Sequence, residues 1–214
     1  ARAGQRLLAD WDFGQGAASA AAAYYNVTWR DLLALTFHDE LPEDAWPDGG
    51  DRWMGVVERL LDRPASPWWD DTTTEEVVET RDDILRAALL QARDDLTALV
   101  SPDPDDWSWG AIHQLDLRSS TLGESGIGPV EALFNRGGWD VGGGTSAVDA
   151  ASWDAAEGFE VDTAPSMRMV VSLADFDDSR WINLTGVSGH PFSEHYTDQT
   201  DLWAAGETLP WAFS

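Results

Sequence analysis

The 214-residue chain has room for one domain, or for one large piece of a bigger protein. It carries 27 Asp and 12 Glu against 13 Arg, with no Lys, for a formal net charge of −26. That balance argues against partners built on phosphate, nucleic acid or an anionic membrane surface, which need cationic protein; with no cysteine, disulfides, thiolate nucleophiles and thiolate-held zinc are excluded.

A hydrophobic share of 43% with 13 Trp supports a packed core rather than disorder. No apolar run approaches the roughly 18 residues that span a bilayer, and no signal-peptide pattern opens the chain. Thirty-nine carboxylates repel one another at low ionic strength, and molar salt screens that repulsion. The excess of Asp over Glu and the missing Lys both shorten the apolar stems on the surface, so adaptation to high salt is expected. An acidic protein from a GC-rich genome, which would also favour Arg over Lys, is the plainer alternative.

Leu7, Leu8 and Trp11 start an amphipathic turn that the stretch from Asp10 to Gly16 ends. The small-residue run Ala17–Ala23 leads into Tyr25, Trp29, Leu32, Leu33 and Phe37 at helical spacing. Pro42, Pro47 and Gly49–Gly50 break the pattern, and Asp51 is placed to cap a short helix carrying Trp53, Met54, Val57, Leu60 and Leu61, which Pro64 closes. A long helix is expected over Glu75–Leu99, opened by a Thr73/Glu76 capping box. Its apolar stripe holds Val77, Ile84, Leu85, Ala88, Leu89, Ala92, Leu96 and Leu99.

After Pro104 the pattern changes to short strands and turns. His113, Leu115 and Leu117 alternate as a half-buried strand would, and Met167–Leu173 and Trp181–Thr185 have strand length. Gly137–Gly138 and Gly142–Gly144 read as loops needing positive φ. The expectation is an α+β chain, with a helical segment over residues 1–100 and a β-rich segment over 101–214. Ala1 opens in mid-pattern, so the true N-terminus is expected elsewhere. The strand Met167–Leu173 is apolar on both faces apart from Arg168 and Ser172, and therefore needs cover on both sides.

No constellation of residues completes an active site. His190 and His195 are five apart with Pro191 between them, so they form no helical i, i+4 metal pair, and His38 and His113 stand apart. Asp175-Phe-Asp177-Asp178 lacks the Gly and distal Glu of a calcium loop and reads as a turn. Ser125 and Ser188 lie in near misses of a nucleophile elbow and also read as turns. Gly142-Gly-Gly-Thr145 lacks the Lys of a phosphate loop. Asn26-Val-Thr28 and Asn183-Leu-Thr185 are glycosylation acceptors only in an exported protein. The Trp residues read as core rather than as a carbohydrate surface. No catalytic, cofactor or metal residue is assigned.

Longer motifs point further. Trp109-Gly110-x-x-His113, Leu133-Phe-Asn-Arg-Gly-Gly138-x-x-Val141-Gly-Gly143 and Ala164-Pro-Ser-Met-Arg-Met-Val-Val171 are followed by Gly186-x-Ser-Gly-His-Pro-Phe-Ser-x-His195-Tyr-x-Asp198-Gln199 and Trp203-x-x-Gly206-Glu-x-Leu209-Pro210. With Leu7-Leu8-x-x-Trp11-Asp12, Tyr25-x-x-x-Trp29 and Ser66-Pro-Trp-Trp-Asp-Asp71, the chain resembles the penicillin acylase family over essentially its whole length.

The resemblance implies an N-terminal-nucleophile hydrolase with a four-layer αββα core, made as one precursor and cleaved into α and β chains. The first β-chain residue, normally Ser, would be the nucleophile. Its own α-amine, with a pKa of about 8, would be the base, and backbone and Asn donors would hold the oxyanion. The chain reads as the C-terminal part of such a β chain. Nucleophile, oxyanion Asn and the family calcium site are all expected upstream of Ala1, so by itself it would be inactive. Its partners would be the upstream β-chain part, the α chain and a small acyl-amide substrate, in an exported enzyme. Asp149 departs from the pattern, standing where relatives have Asn. Some cephalosporin acylases orient a His with a carboxylate from this region, and no equivalent is assigned. A non-catalytic binding or scaffold module that kept the fold is the alternative.

Overall fold

A computed structural model describes residues 2–213. Helix α1 spans Arg2–Ala9, and α2 spans Ala20–Phe37. Trp11 lies beyond α1 and folds back, its Nε1 donating to the Gly14 carbonyl at 3.0 Å. Ser19 caps α2, its Oγ accepting from Ala22 N at 3.1 Å. Helix α3 covers Asp51–Leu61, and α4 covers Arg81–Leu99.

Helix α2 is buried on nearly every side because α4 crosses it closely. Ala88 and Ala92 of α4 meet the alanines and Tyr24 of α2, and side chains this small let two backbones approach. Tyr24 Oη donates to the Leu89 carbonyl at 2.8 Å, and Arg30 pairs with its neighbour Asp31 and, across the helix pair, with Asp95.

Two expected helix starts move. Helix α4 begins at Arg81, six residues after Glu75, and its capping box is Thr80/Asp83, with Thr80 N donating to Asp83 Oδ2 at 3.1 Å. Carboxylates hold the preceding segment in turns instead. Asp70 accepts from Glu79 N, Glu79 from Asp71 N, and Asp71 from Thr73 N and Oγ1. Local side-chain acceptors and the β-branched pair Val77–Val78 outweigh the apolar periodicity there. Val77 and Leu99 are exposed, so the stripe is shorter than expected. At α3 the cap position is Gly50, and Asp51 is the first helical residue.

Strand β1 (Gln114–Leu117) pairs antiparallel with β2 (Arg136–Asp140), and helix α5 (Gly128–Phe134) lies between them in sequence. His113 sits just before β1, and the expected alternation is present, with His113 and Leu115 buried and Asp116 exposed. Gly137–Gly138 are within β2 rather than in a loop. The register shifts between Leu115 and Leu117, and Asp116 folds over the gap to accept from Gly138 N at 3.0 Å. A Cβ on Gly137 would fall 1.8 Å from Asp116 Oδ1, so a side chain there would block the bulge.

The second sheet runs β3 (Met167–Val170), β4 (Arg180–Asn183), β5 (Leu209–Pro210), all antiparallel, with helix α6 (Thr200–Ala204) against β4. Strand β3 ends three residues before Leu173, because Ser172 N donates to Ser179 Oγ instead of continuing the ladder. Strand β4 starts one residue earlier and ends two earlier than expected. Mixed helix and small sheets make the chain α+β.

Two cores result. The larger joins α2, α3 and α4 to Trp107, Trp109, Trp153, Ala155 and Phe159 from the second half, so the two halves share one interior. The smaller gathers Leu115, Val141, Ala151, Ile182 and Trp203.

Candidate functional site

A cleft of 920 Å³ opens where the loop after α1 meets the glycine loop after β2 and the end of α6. Phe13, Gln15, Trp139, Gly142, Gly143, Val148, Asp149 and Asp201 are among its walls. Backbone bonds stitch the seam. Gly143 N donates to the Gln15 carbonyl at 2.7 Å, Gly144 N to the Asp149 carbonyl at 3.1 Å, and Gly110 N to the Ala17 carbonyl at 2.8 Å. Gly143 has φ +85°, and a Cβ there would lie 2.0 Å from the Asp149 carbonyl oxygen. Among the described residues, Phe13 and Ser146, with φ of 64° and 65°, are the non-glycine residues in the left-handed region, and both line this cleft. Backbone strain of this kind persists only where surrounding structure enforces it.

At the back of the cleft Asp149 pairs with Arg168, whose guanidinium lies over the Trp203 ring. Burial raises the Asp149 pKa and Arg168 opposes the rise; burial also lowers that of Arg168. Trp139 Nε1 donates to Asp201 Oδ1 at 2.7 Å, tying β2 to α6. Asp149, which stands where the resemblance expects Asn, thus carries a charge that Arg168 answers.

His113 is fully buried, stacked on Trp109 with ring centroids 4.4 Å apart. Its Nδ1 donates to the Phe159 carbonyl at 2.6 Å, which sets the neutral tautomer, and burial pushes its pKa down. The Ala151 carbonyl faces the ring without forming a well-aligned bond to Nε2. Trp109 Nε1 donates to the Gly143 carbonyl at 3.0 Å, so the Trp-Gly-x-x-His motif anchors the glycine loop from below.

The tail loop after β4 is held by Gly186 N donating to the Tyr196 carbonyl and Ser188 N to the His195 carbonyl. Tyr196 Oη reaches the Phe134 carbonyl at 2.5 Å. His195 Nδ1 is 2.8 Å from Asp198 Oδ2, and this bond raises the His195 pKa.

The histidines are dispersed, with His38 stacked on Trp46 at 3.9 Å, His113 in the core, and His190 and His195 on the tail loop. Among the described residues no group of three or more His, Asp or Glu is placed to hold a metal ion. Asp175 caps a 3₁₀ turn by accepting from Asp177 N. Ser125 and Ser188 hydroxyls accept from Ile127 N and His190 N, each within a turn. The amides of Gly143 and Gly144 are spent inside the protein rather than aimed at a phosphate. Asn26 is buried in α2, donating to Gln15 Oε1 and the Ala22 carbonyl, so that sequon is no surface acceptor.

Of the 13 Trp residues expected in the core, six are buried there, Trp11, Trp53 and Trp139 pack half-buried against it, and Trp68 is exposed. The sequence reading missed the cleft itself, because its walls come from segments over 180 residues apart. The triple glycine was the one local sign of it.

A family model described as penicillin amidase matches residues 1–214. The acyl-homoserine lactone acylase QuiP of Pseudomonas aeruginosa is 29% identical over 97% of this chain, and that match covers 26% of the relative. Its counterpart in Pseudomonas syringae pv. syringae is 29% identical over 94% of this chain and 25% of its own. Penicillin acylase 2 proenzyme of a Pseudomonas species is also 29% identical, over 98% of this chain and 26% of its own length. The chain therefore spans about a quarter of the length of the curated relatives it matches. With the family model covering every residue, the chain belongs to the penicillin amidase family.

Proposed function

We propose that this chain is the C-terminal segment of an amidohydrolase that cleaves the amide bond of a small acylated substrate. The observation that carries this is the family match over residues 1–214 of a chain spanning a quarter of its relatives. The nucleophile is the N-terminal residue of a processed chain elsewhere in the same polypeptide. Its α-amine, with a pKa of about 8, takes the hydroxyl proton near neutral pH. The hydroxyl oxygen attacks the amide carbonyl, the amine leaves with a proton, and water then releases the acid. Residues 1–100 supply a helical layer and residues 101–214 supply strands to a four-layer αββα core. The Asp149–Arg168–Trp203 stack and the Gly142–Gly144 loop make a rigid wall beside it. The calcium site belongs to the upstream part. The enzyme works outside the cytoplasm in high salt, with no nucleic-acid or membrane partner, as its charge supports.

The test uses the whole polypeptide and residues 1–214 side by side, each mixed with a chromogenic phenylacetyl amide and an N-acyl-homoserine lactone. A burst of acyl-enzyme from the whole polypeptide and none from residues 1–214 is the expected result. Saturable turnover by residues 1–214, abolished by Ser166→Ala or His190→Gln, would overturn it. A whole polypeptide that binds acyl amides without hydrolysing them would favour the scaffold reading.

A further inference from the structure

One face of the β3–β4–β5 sheet is covered around Arg168 and Ile182, with Val170 at the strand end left 63% exposed. Arg168 and Ile182 point to Trp203 and the smaller core. The opposite face presents Met167, Met169 and Val171 from β3 and its extension, Trp181 from β4, Leu209 from β5 and Trp211 just after it. This follows from the pairing Met169↔Trp181 and Trp181↔Leu209 with alternation along each strand. Trp181, Leu209 and Trp211 pack against neither core, and Met167 and Met169 are each 48% exposed. An antiparallel sheet with one solvated face alternates apolar with polar, and this one does not. In a protein with 39 carboxylates the plate holds none; Asn183 and Ser179 are its polar positions.

The edge tells the same story. Leu184 N donates to the Ser166 carbonyl, and Ser172 N to Ser179 Oγ, so even-numbered residues of this strand face β4. By alternation the N–H and C=O groups of Met167, Met169 and Val171 point outward, unpaired. The other edge of the sheet, β5, is blunted by Pro210, which has no N–H to offer. Strand β3 has no such protection, and Leu173 beside it is 86% exposed.

We propose that this plate and edge are the docking surface for the remainder of the acylase polypeptide, which adds an apolar strand beside β3 and an apolar layer over Met169 and Trp181. The occupant is identified by the three-quarters of the relatives' length lying outside the matched region and by the plate's missing charge. A second copy fits poorly, since each chain brings a charge of −26 to the contact. The inference rests on the reading of the chain as part of a longer enzyme.

Hydrogen exchange tests it in the whole polypeptide and in residues 1–214. The amides of Met167, Met169 and Val171 should exchange at least about 100-fold more slowly in the whole polypeptide. Met167→Asp with Met169→Asp should abolish that protection, and Val78→Asp, on an exposed site far along the chain, should leave it. If the double variant does not fold, Met169→Gln serves, with a smaller loss of protection expected. Rapid exchange at these amides in the whole polypeptide overturns the proposal, as does concentration-dependent protection in residues 1–214, which would mark a second copy as the occupant. Protection without amide hydrolysis would sink the catalytic reading and leave the docking surface standing; turnover with unprotected amides would do the reverse.

Discussion

The Arg168 guanidinium lies 3.7 Å from the centroid of the Trp203 ring and donates to the Trp203 carbonyl at 2.6 Å while pairing with Asp149. One side chain thus ties β3, α6 and the loop bounding the cleft. A planar cation stacked on an indole is worth about 1–2 kcal/mol, and lysine cannot reproduce the stack together with the fork. Arg168→Lys should lower the thermal midpoint, and Arg168→Leu should lower it further by leaving Asp149 unanswered. Asp149→Asn, at a half-exposed position, should cost less than either. Thermal denaturation of the three variants checks the order.

Gly143→Ala should be among the most damaging small substitutions in the chain. The new methyl would sit 2.0 Å from a backbone oxygen at φ +85°, so strain and clash act together, at about 2 kcal/mol or more. Gly126→Ala, also at positive φ but in open space, should cost about 1 kcal/mol. Urea midpoints of the pair separate the clash from the conformational strain.

Asp31 is buried, and burial lifts its carboxyl from 3.8 to about 6 against the opposing pull of Arg30. A carboxylate whose pKa is raised on folding binds its proton more tightly in the folded state. Stability is therefore lost as pH rises from about 4 to about 6 and the cost stays above that. At 1.36 kcal/mol per unit it approaches about 3 kcal/mol. Asp31→Asn should flatten the stability profile across that window. An unchanged slope between pH 4 and 6.5 would show that Asp31 is not the titrating group.

His195 behaves oppositely. Its pKa is raised by the bond to Asp198, so its contribution is fully present below about 6.5 and disappears as pH climbs through the folded value. His195→Gln should lose a midpoint increment at pH 6 and none at pH 9. In the whole enzyme its turnover should stay within about tenfold of the parent. A loss of about 10³ or more at unchanged midpoint would assign His195 to general-base chemistry instead.

Salt should raise the unfolding midpoint between 0.1 M and 2 M, since the repulsion among 39 carboxylates against 13 cations is what the added ions screen. Calorimetry in sodium chloride decides this. A flat midpoint would leave the acidic surface to genome composition alone.

Local chemistry was legible in the sequence where it involves near neighbours. The apolar spacing of Trp29, Leu33 and Phe37 places α2, and the alternation over His113–Leu117 is present in the structure. The family was legible too, since its motifs are contiguous strings. Tertiary structure alone decided the rest, because it depends on residues far apart in sequence. At the start of α4 the distant part is Asp39, which takes the Thr72 amide and hydroxyl from 33 residues away and adds to the local capture by Asp70, Asp71 and Glu79. The placement of Gly137 within a strand was settled by Asp116 across the ladder. The cleft exists only because Gln15 and Gly143 are hydrogen-bonded across 128 residues, and Asp149 becomes half of an ion pair only where folding brings Arg168 over Trp203. A one-dimensional pattern records which face of an element avoids water; it does not record which distant group arrives to meet it.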